Sequence, residues 1–451
     1  MEEVQAGPDN QPSVLSPTTW RGRLRRWAPV GFFLLAALLF LLTNRAAYRG
    51  YFADDDFANI GWPTFVGNDV FIRGLLSPVF SGSHFRPVGF LFFRYAGRAF
   101  DLNFWPYVVI LQLLHVLNAA LLYLLLRRVA FSGVAAGAGA VFYAFDAAVM
   151  QVYWTPMFIF DLLCATLCLL TLLLYVRGRW IWGLATFWLA YKAKEVAVML
   201  PAALAAYELL LGDRRWKRLI PYFAIALSFG LQALWFNQHV NGINAYALHF
   251  TADVLWQTVA FYSSAVFVVP LAGLVLLALP LLVRDRRLYI GLILMAATFL
   301  PMLALPGRLL EAFWYVPLIG LAMTVAAVAG RLPRWAVIAL LILWLPFNYS
   351  VVRGKGRELL ALDQERRLFI ASLQSYARSV PHLRAVVYAD VPPHMYSWGV
   401  EDGIRKIFGR TVDVAGAQDP RAKAAMSEFP MAVIAYDHAG HTIRGTFRAG
   451  D

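Results

Sequence analysis

The sequence predicts a polytopic α-helical membrane protein of about eleven transmembrane helices. Interfacial helices are expected in its first extracytoplasmic loop, and a small α/β domain at its C-terminus. Three observations lead there. Hydrophobic residues make up 60% of the chain and charged ones 15%, with a mean hydropathy of +0.59. Apolar runs of about 18 to 20 residues recur, the length that crosses roughly 30 Å of hydrocarbon, whereas a β-barrel would alternate apolar and polar residues. Finally, the basic residues are gathered into short clusters that occupy every second connection between those runs.

In chain order, residues 1–26 form a polar, then basic tail ending in Arg21, Arg23, Arg25 and Arg26. The apolar stretch 28–43 has no small-residue cleavage site directly after it, so it reads as a retained signal anchor. The expected spans are 27–44, 105–126, 130–150, 157–176, 180–193, 196–211, 219–236, 256–282, 288–305, 313–330 and 335–351. Those at 180–193 and 196–211 are short and divided by Lys194-Glu195, the pattern of a hairpin that does not fully cross. The clusters at Arg21–Arg26, Arg127-Arg128, Arg177/Arg179, Arg214–Arg218, Arg284–Arg287 and Arg331/Arg334 then share one side, the cytoplasmic one. This accounts for the net charge of +13 without nucleic acid as a partner. The partner is the lipid bilayer.

The opposite face receives the loop 45–104, the Lys192–Glu195 corner, the loop 237–253 and the turn 306–311. With an odd number of spans it also receives residues 352–451, leaving 27–351 as the membrane domain. In the C-terminal part, 385–389 and 431–436 have the composition of buried strands and 400–408 that of a helix. Cys164 and Cys168 lie one helical turn apart within an apolar run and read as buried thiols, neither a disulfide framework nor a zinc site. No internal repeat is evident.

Chemistry concentrates on the extracytoplasmic side. Asp54-Asp55-Asp56 follow the first span directly, although carboxylates are costly beside hydrocarbon and repel one another. The plain alternative is that they cap the helix beginning near Phe57. The stretches 57–76 and 88–100 around them mix apolar and charged residues with Trp62, Phe65, Phe71, Phe92, Phe93 and Tyr95, as interfacial helices do. Between them lies Ser83-His84-Phe85-Arg86-Pro87. Lys194-Glu195 supplies either a snorkelling ion pair or a phosphate-binding lysine. His115 and Asn118 share a helix face and suit inter-helix hydrogen bonds as readily as a ligand. Asp161 falls inside an apolar run, where an ionisable residue points to function unless it caps the helix. Arg308, Glu311 and Tyr315 precede the tenth span, with a surface ion pair as the simple reading. The sequence contains no nucleotide-binding glycine loop, metal-binding His-x-x-x-His or nucleophile elbow, which argues against ATP-driven transport and a metalloprotease.

Taken in order, Asp55-Asp56-Phe57, His84-Phe85-Arg86-Pro87, Leu114-His115 with Asn118, Asp161-Leu162-Leu163, and Lys194-Glu195 with Pro201 resemble the GT-C superfamily of membrane glycosyltransferases. This superfamily includes the protein O-mannosyltransferases and the aminoarabinose transferase. Its nearest branch here is the one whose animal members carry tetratricopeptide repeats. That branch has a His-Pro and a Glu where this chain has Asp146 and Gln151, and no such repeats follow here. The resemblance implies a polyprenyl-phosphate-linked sugar donor, chemistry on the extracytoplasmic face and a multi-pass cell-envelope enzyme, as in a bacterial inner membrane. It implies Asp55 as general base for an inverting transfer, with Asp56 placing the acceptor or a cation. His84, Arg86, Lys194 and Arg308 would hold the donor phosphate, and Asp54, His115, Asp161 and Glu195 are secondary candidates. Mg²⁺ or Mn²⁺ on Asp55 and Asp56 is left open, as is the acceptor: protein, lipid or glycan. The rival readings are a lipid or sugar transporter or flippase, and a non-catalytic membrane assembly protein. No inverted repeat with matching broken helices supports the first.

Overall fold

The computed structural model describes residues 20–79, 81, 85–239 and 248–450. His84, the tail 1–19 and residues 240–247 of the expected loop 237–253 lie outside them, as do the side chains of Arg21, Arg23, Arg25 and Arg26. The chain begins with α1 (Trp20–Thr43). The first loop then folds as α2 (Asp54–Gly61), α3 (Asn68–Leu76) and α4 (Pro87–Phe100). Pro87 begins α4, where its missing N–H costs nothing. Ile72, Leu76 and Tyr95 point outward, the exposure expected of helices lying in a lipid interface.

The helical body follows as α5 (Trp105–Arg128), α6 (Gly133–Phe145), α7 (Ile159–Val176), α8 (Trp180–Ala193), α9 (Leu200–Leu210) and α10 (Ile220–His239). It continues with α11 (Ala252–Ala265), the short α12 (Leu279–Leu282), α13 (Arg286–Leu303), α14 (Pro317–Ala329) and α15 (Arg334–Ala377). Among the described residues, four helical stretches are long and apolar enough to cross a membrane: Trp105–Arg128, Pro156–Val176, Arg286–Leu303 and Arg334–Ala377. A fifth forms if Gly133–Phe145 and Ala147–Tyr153, bent by 63°, count as one span.

Several expected spans therefore arrive short or broken, each for a local reason. At 130–150 the break falls at Asp146, whose Oδ1 accepts the Ala148 N–H at 2.8 Å and starts a new turn. Between α8 and α9, Lys194 is fully extended (φ −162°, ψ 142°) and a 3-10 turn, Glu195–Met199, intervenes. The expected span 256–282 is interrupted near Pro270, which cannot donate to a helical ladder. Val268 and Leu271 on either side take positive φ, and the Leu271 N–H turns to Ser264 Oγ at 3.0 Å.

Packing in the body relies on small residues. Gly291 of α13 and Gly320 of α14 face each other so closely that a Cβ on Gly291 would stand 2.7 Å from the Gly320 carbonyl oxygen. Gly139 of α6 meets the Ala322 carbonyl in the same way. Lipid offers no hydrophobic drive between helices, so close backbone approach and the van der Waals contact it permits must supply the attraction.

The last helix differs from expectation most. α15 does not end at 351 but runs unbroken through 44 residues, about 66 Å at 1.5 Å per residue. Its second half buries Arg366, Phe369, Ile370 and Leu373, an i, i+3, i+4, i+7 stripe. That stripe packs on the C-terminal domain, which comprises β1 (Ala385–Asp390), α16 (Ser397–Phe408), β2 (Asp413–Gly416), the short α17 (Ala422–Ala425), β3 (Met431–Asp437) and β4 (Thr442–Arg448). The sheet order is β2-β1-β3-β4, with β1 parallel to β2 and β3, and β4 antiparallel to β3. The expected strands and helix are all present. Val386, Val414, Ala432 and Ile434 are buried in the domain's core.

Candidate functional site

The aspartate triplet forms the first turn of α2, where the unpaired N–H groups and the helix dipole favour negative charge. Its three members have three different fates. Asp56 is fully buried and its Oδ2 accepts the Ala53 N–H at 2.8 Å, a reach-back cap on a helix whose N-cap alanine has no polar side chain. Asp56 Oδ1 is buried without a hydrogen-bond partner. Burial first, then the neighbouring Asp55 and Asp363 charges, hold this carboxyl well above the usual carboxylate range, against the backbone hydrogen bond and Arg366. Asp54 is also buried. Its Oδ1 accepts the Tyr396 N–H at 2.9 Å and its Oδ2 lies 3.8 Å from Arg366. Asp55 is the half-buried member, and its Oδ1 accepts the indole N–H of Trp398 at 2.8 Å.

These contacts dock the C-terminal domain on the first loop. Arg366 also pairs with Asp363 at 3.0 Å, whose other oxygen accepts the Tyr51 N–H at 3.0 Å. Arg367 donates to the carbonyls of Arg49 and Gly50, and Lys406 reaches Asp101 at 2.6 Å. A Cβ on Gly399 would come within 2.7 Å of the Asp54 Cα, so α16 meets the start of α2 almost backbone to backbone.

A second cluster gathers four other candidates. Arg86, at the N-terminal edge of α4, grips both oxygens of Glu195 through Nε at 2.9 and 3.0 Å and through Nη2 at 2.8 Å. The extended backbone at Lys194 turns its side chain inward, where Nζ meets Asp161 at 2.5 Å. Both are buried, and the ammonium sits over the Phe313 ring at 4.5 Å. Arg86 itself lies over Phe160, the residue before Asp161. The adjacent pair Lys194-Glu195 thus ties α4 to α7 through two oppositely directed ion pairs.

Beside this cluster lies a cleft of about 370 Å³ lined by Arg73, Ser77, Ser81, Arg86, Lys192 and Glu195 over an apolar floor that includes Phe85 and Tyr191. Lys192 Nζ donates to the Ser77 carbonyl at 2.6 Å and is surrounded by Trp188, Tyr191 and Phe229. Lys192 was visible in sequence only as part of a basic corner, and its place in this cleft comes from the fold. Trp398 and Asp402 were likewise missed, since nothing in a lone α16 points to a carboxylate some 340 positions away.

The remaining candidates have other surroundings. His115 is fully buried. Its Nε2 lies 3.0 Å from the Ala144 carbonyl and so carries the proton, leaving Nδ1 to accept the Tyr315 hydroxyl at 2.8 Å. Asn118 donates to the Leu162 carbonyl and to Tyr315, both at 3.1 Å, and accepts from Thr166. Tyr315 therefore links with the second span, while Glu311 pairs with Lys355 of α15. Arg308 closes the 3-10 turn Pro306–Arg308 between α13 and α14 and is part-buried. Among the described residues no three His, Cys, Asp or Glu side chains converge as metal ligands. Within the triplet, Asp54 Oδ1, Asp55 Oδ1 and Asp56 Oδ2 accept N–H groups from Tyr396, Trp398 and Ala53.

No protein-family model matches the chain, and no curated protein does. Among solved structures it is similar to ArnT from Cupriavidus metallidurans in its apo crystal form. The TM-score is 0.56 with 16% sequence identity, over 91% of this chain and 94% of that one. The chain thus shares the fold of that protein over about nine-tenths of its length.

Proposed function

We propose that this protein is a glycosyltransferase that moves a sugar from a polyprenyl-phosphate carrier to an acceptor hydroxyl on the extracytoplasmic face of the membrane. The observation that carries the reading is a fold shared with ArnT along nearly the whole of both chains. The short motifs named above add support, and kinship with the tetratricopeptide branch rests on those motifs alone. The N-terminus would be cytoplasmic and residues 352–451 extracytoplasmic, as the arginine clusters indicate.

In this reading Asp55 is the base. It is the one member of the triplet that is not buried, and the Trp398 indole holds one of its oxygens. The acceptor O–H gives its proton to Asp55 as its oxygen bonds to the anomeric carbon. The bond from that carbon to the phosphate oxygen breaks, and polyprenyl phosphate departs with one more negative charge. Direct displacement inverts the anomeric centre and needs no second carboxylate as nucleophile, unlike the paired-carboxylate hydrolases. The new charge falls on the phosphate, where cations fixed in advance lower the barrier. Arg86 and Lys192 line the cleft suited to it. Buried Lys194 acts through Asp161 and the neighbouring Arg86–Glu195 pair as a positioning residue. Arg308 and His84 are kept as phosphate ligands on the strength of the resemblance.

A second reading has an observation of its own. Asp54 and Asp55 both bond to the C-terminal domain, so the triplet could be a domain clasp and nothing more. One variant separates the two. Purified Asp55→Asn protein, given radiolabelled polyprenyl-phosphate sugars, should lose transfer by at least about a hundredfold while its melting temperature in detergent stays that of the wild type. Full transfer sinks the assignment, whereas lost stability with proportionate loss of transfer favours the clasp.

A further inference from the structure

The C-terminal domain places two aromatic rings at the edge of the triplet. Tyr396 and Trp398 stack with planes 3° apart and centroids 4.4 Å apart. They are 60% and 48% exposed, although α16 buries Val400 and Ile404 and partly covers Ile407 and Phe408. The Trp398 ring is held through its indole N–H by Asp55, and the backbone N–H of Tyr396 by Asp54. Fixing two aromatic rings in solvent without covering them forgoes apolar burial and so calls for an occupant.

We infer that Tyr396 and Trp398 form a platform for a saccharide ring of the acceptor, with Asp55 at its rim. The inference rests on the reading of Asp55 given above and narrows the acceptor to a glycan or a glycolipid headgroup. A pyranose has a C–H-rich face that lies flat on an aromatic plane and a girdle of hydroxyls that donates sideways. A flat stack edged by a carboxylate matches both halves of that shape. Asp402, one turn along α16 from Trp398, is paired with Arg405 at 3.2 Å. Trp and Tyr also anchor proteins at lipid headgroups, but the acidic groups here repel anionic lipid, so the sugar is the better match. Seated on the stack, a ring hydroxyl would face the Asp55 oxygen that the indole does not hold, which makes Tyr396 and Trp398 specificity-determining residues for transfer.

The test uses full-length protein in neutral-lipid nanodiscs and saturation-transfer NMR with three probes: N-acetylglucosamine trimer, cellobiose and methyl α-mannoside. At least one probe should receive magnetisation through its ring C–H protons. Trp398→Ala and Tyr396→Ala should each weaken that probe's binding by about tenfold, the worth of one aromatic face, and Trp398→Phe should retain more of it than Trp398→Ala. Silence from all three probes in the wild type, or undiminished binding in the alanine variants, overturns the inference. So does adhesion to anionic vesicles that depends on the rings while sugar binding does not. If the wild type binds a probe but neither binds nor consumes any donor, the transferase reading fails and the sugar platform stands by itself.

Discussion

At the residue scale, the triplet shows how neighbouring identical side chains are differentiated by what they face. Asp56 is the buried cap, and its titration carries a prediction. Its folded-state carboxyl is held well above the ordinary 3.8 by burial, so folding favours the protonated form. The stability that follows is complete below about pH 3.8 and is lost as pH rises through the raised folded value. Asp56→Asn keeps the acceptor for the Ala53 N–H and cannot ionise. Its melting temperature in detergent should lack the wild type's decline across that interval, a decline worth up to about 1.4 kcal/mol per pH unit. Identical pH profiles for the two proteins would show that Asp56 is not buried as described. Sequence alone revealed the density of charge here but not these contacts, because Asp54 and Asp55 find their partners among residues 366–398 while Asp56 caps its own helix.

At the scale of elements, the sequence was most legible where composition is extreme. The apolar runs behind α5, α7 and α13, and the strands β1 and β3, fall where hydrophobicity and β-branched content place them. Breaks within spans were harder to read. Lys194-Glu195 announced one, but the interruptions at Asp146 and Pro270 lie inside stretches apolar enough to hide them. The extent of α15 was missed for the opposite reason: beyond 351 its apolar residues thin to a stripe, and a search for membrane-length runs stops there. The α13–α14 crossing gives an element-scale prediction. Gly320→Leu must force the two backbones apart, so it should cost on the order of 3 kcal/mol or more and appear as lowered detergent stability. Gly354→Leu, where a Cβ would meet nothing within 4 Å, should leave stability unchanged or raise it by up to about 1 kcal/mol. Equal effects at the two sites would show that the close crossing is not what holds these helices together.

At the scale of the whole molecule, a membrane body and an α/β domain meet over a loop, and the candidate chemistry is distributed over all three. The contacts that join them are few and specific, with Arg366 at the centre between Asp54 and Asp363. Removing one partner from a buried charge cluster leaves the others uncompensated, at a cost of about 3–5 kcal/mol. Arg366→Ala should therefore expose the C-terminal domain to limited proteolysis at protease concentrations that leave the wild type intact, while the membrane body keeps its melting behaviour. An unchanged digestion pattern would move the weight of docking to Lys406–Asp101 and Arg367. Contacts of this kind join positions more than 300 residues apart. A single sequence does not reveal them, because neither partner carries a local mark of the other.

The continuity of α15 turns chain length into a rotary setting. A helix of 3.6 residues per turn advances about 100° with each residue. Beyond its interior Pro346 the helix runs on to Ala377 without another proline at which such an advance could be absorbed. One residue added between Pro346 and Arg366 would thus swing the sheet, α16 and both aromatic rings roughly a quarter-turn or more about the helix axis, away from the loop they now cover. Seven residues, about two turns, would return them to nearly the same bearing but about 10 Å higher. The azimuth of the C-terminal domain and the length of this one helix are a single parameter, and the residues around Asp55 can be assembled at only one of its values.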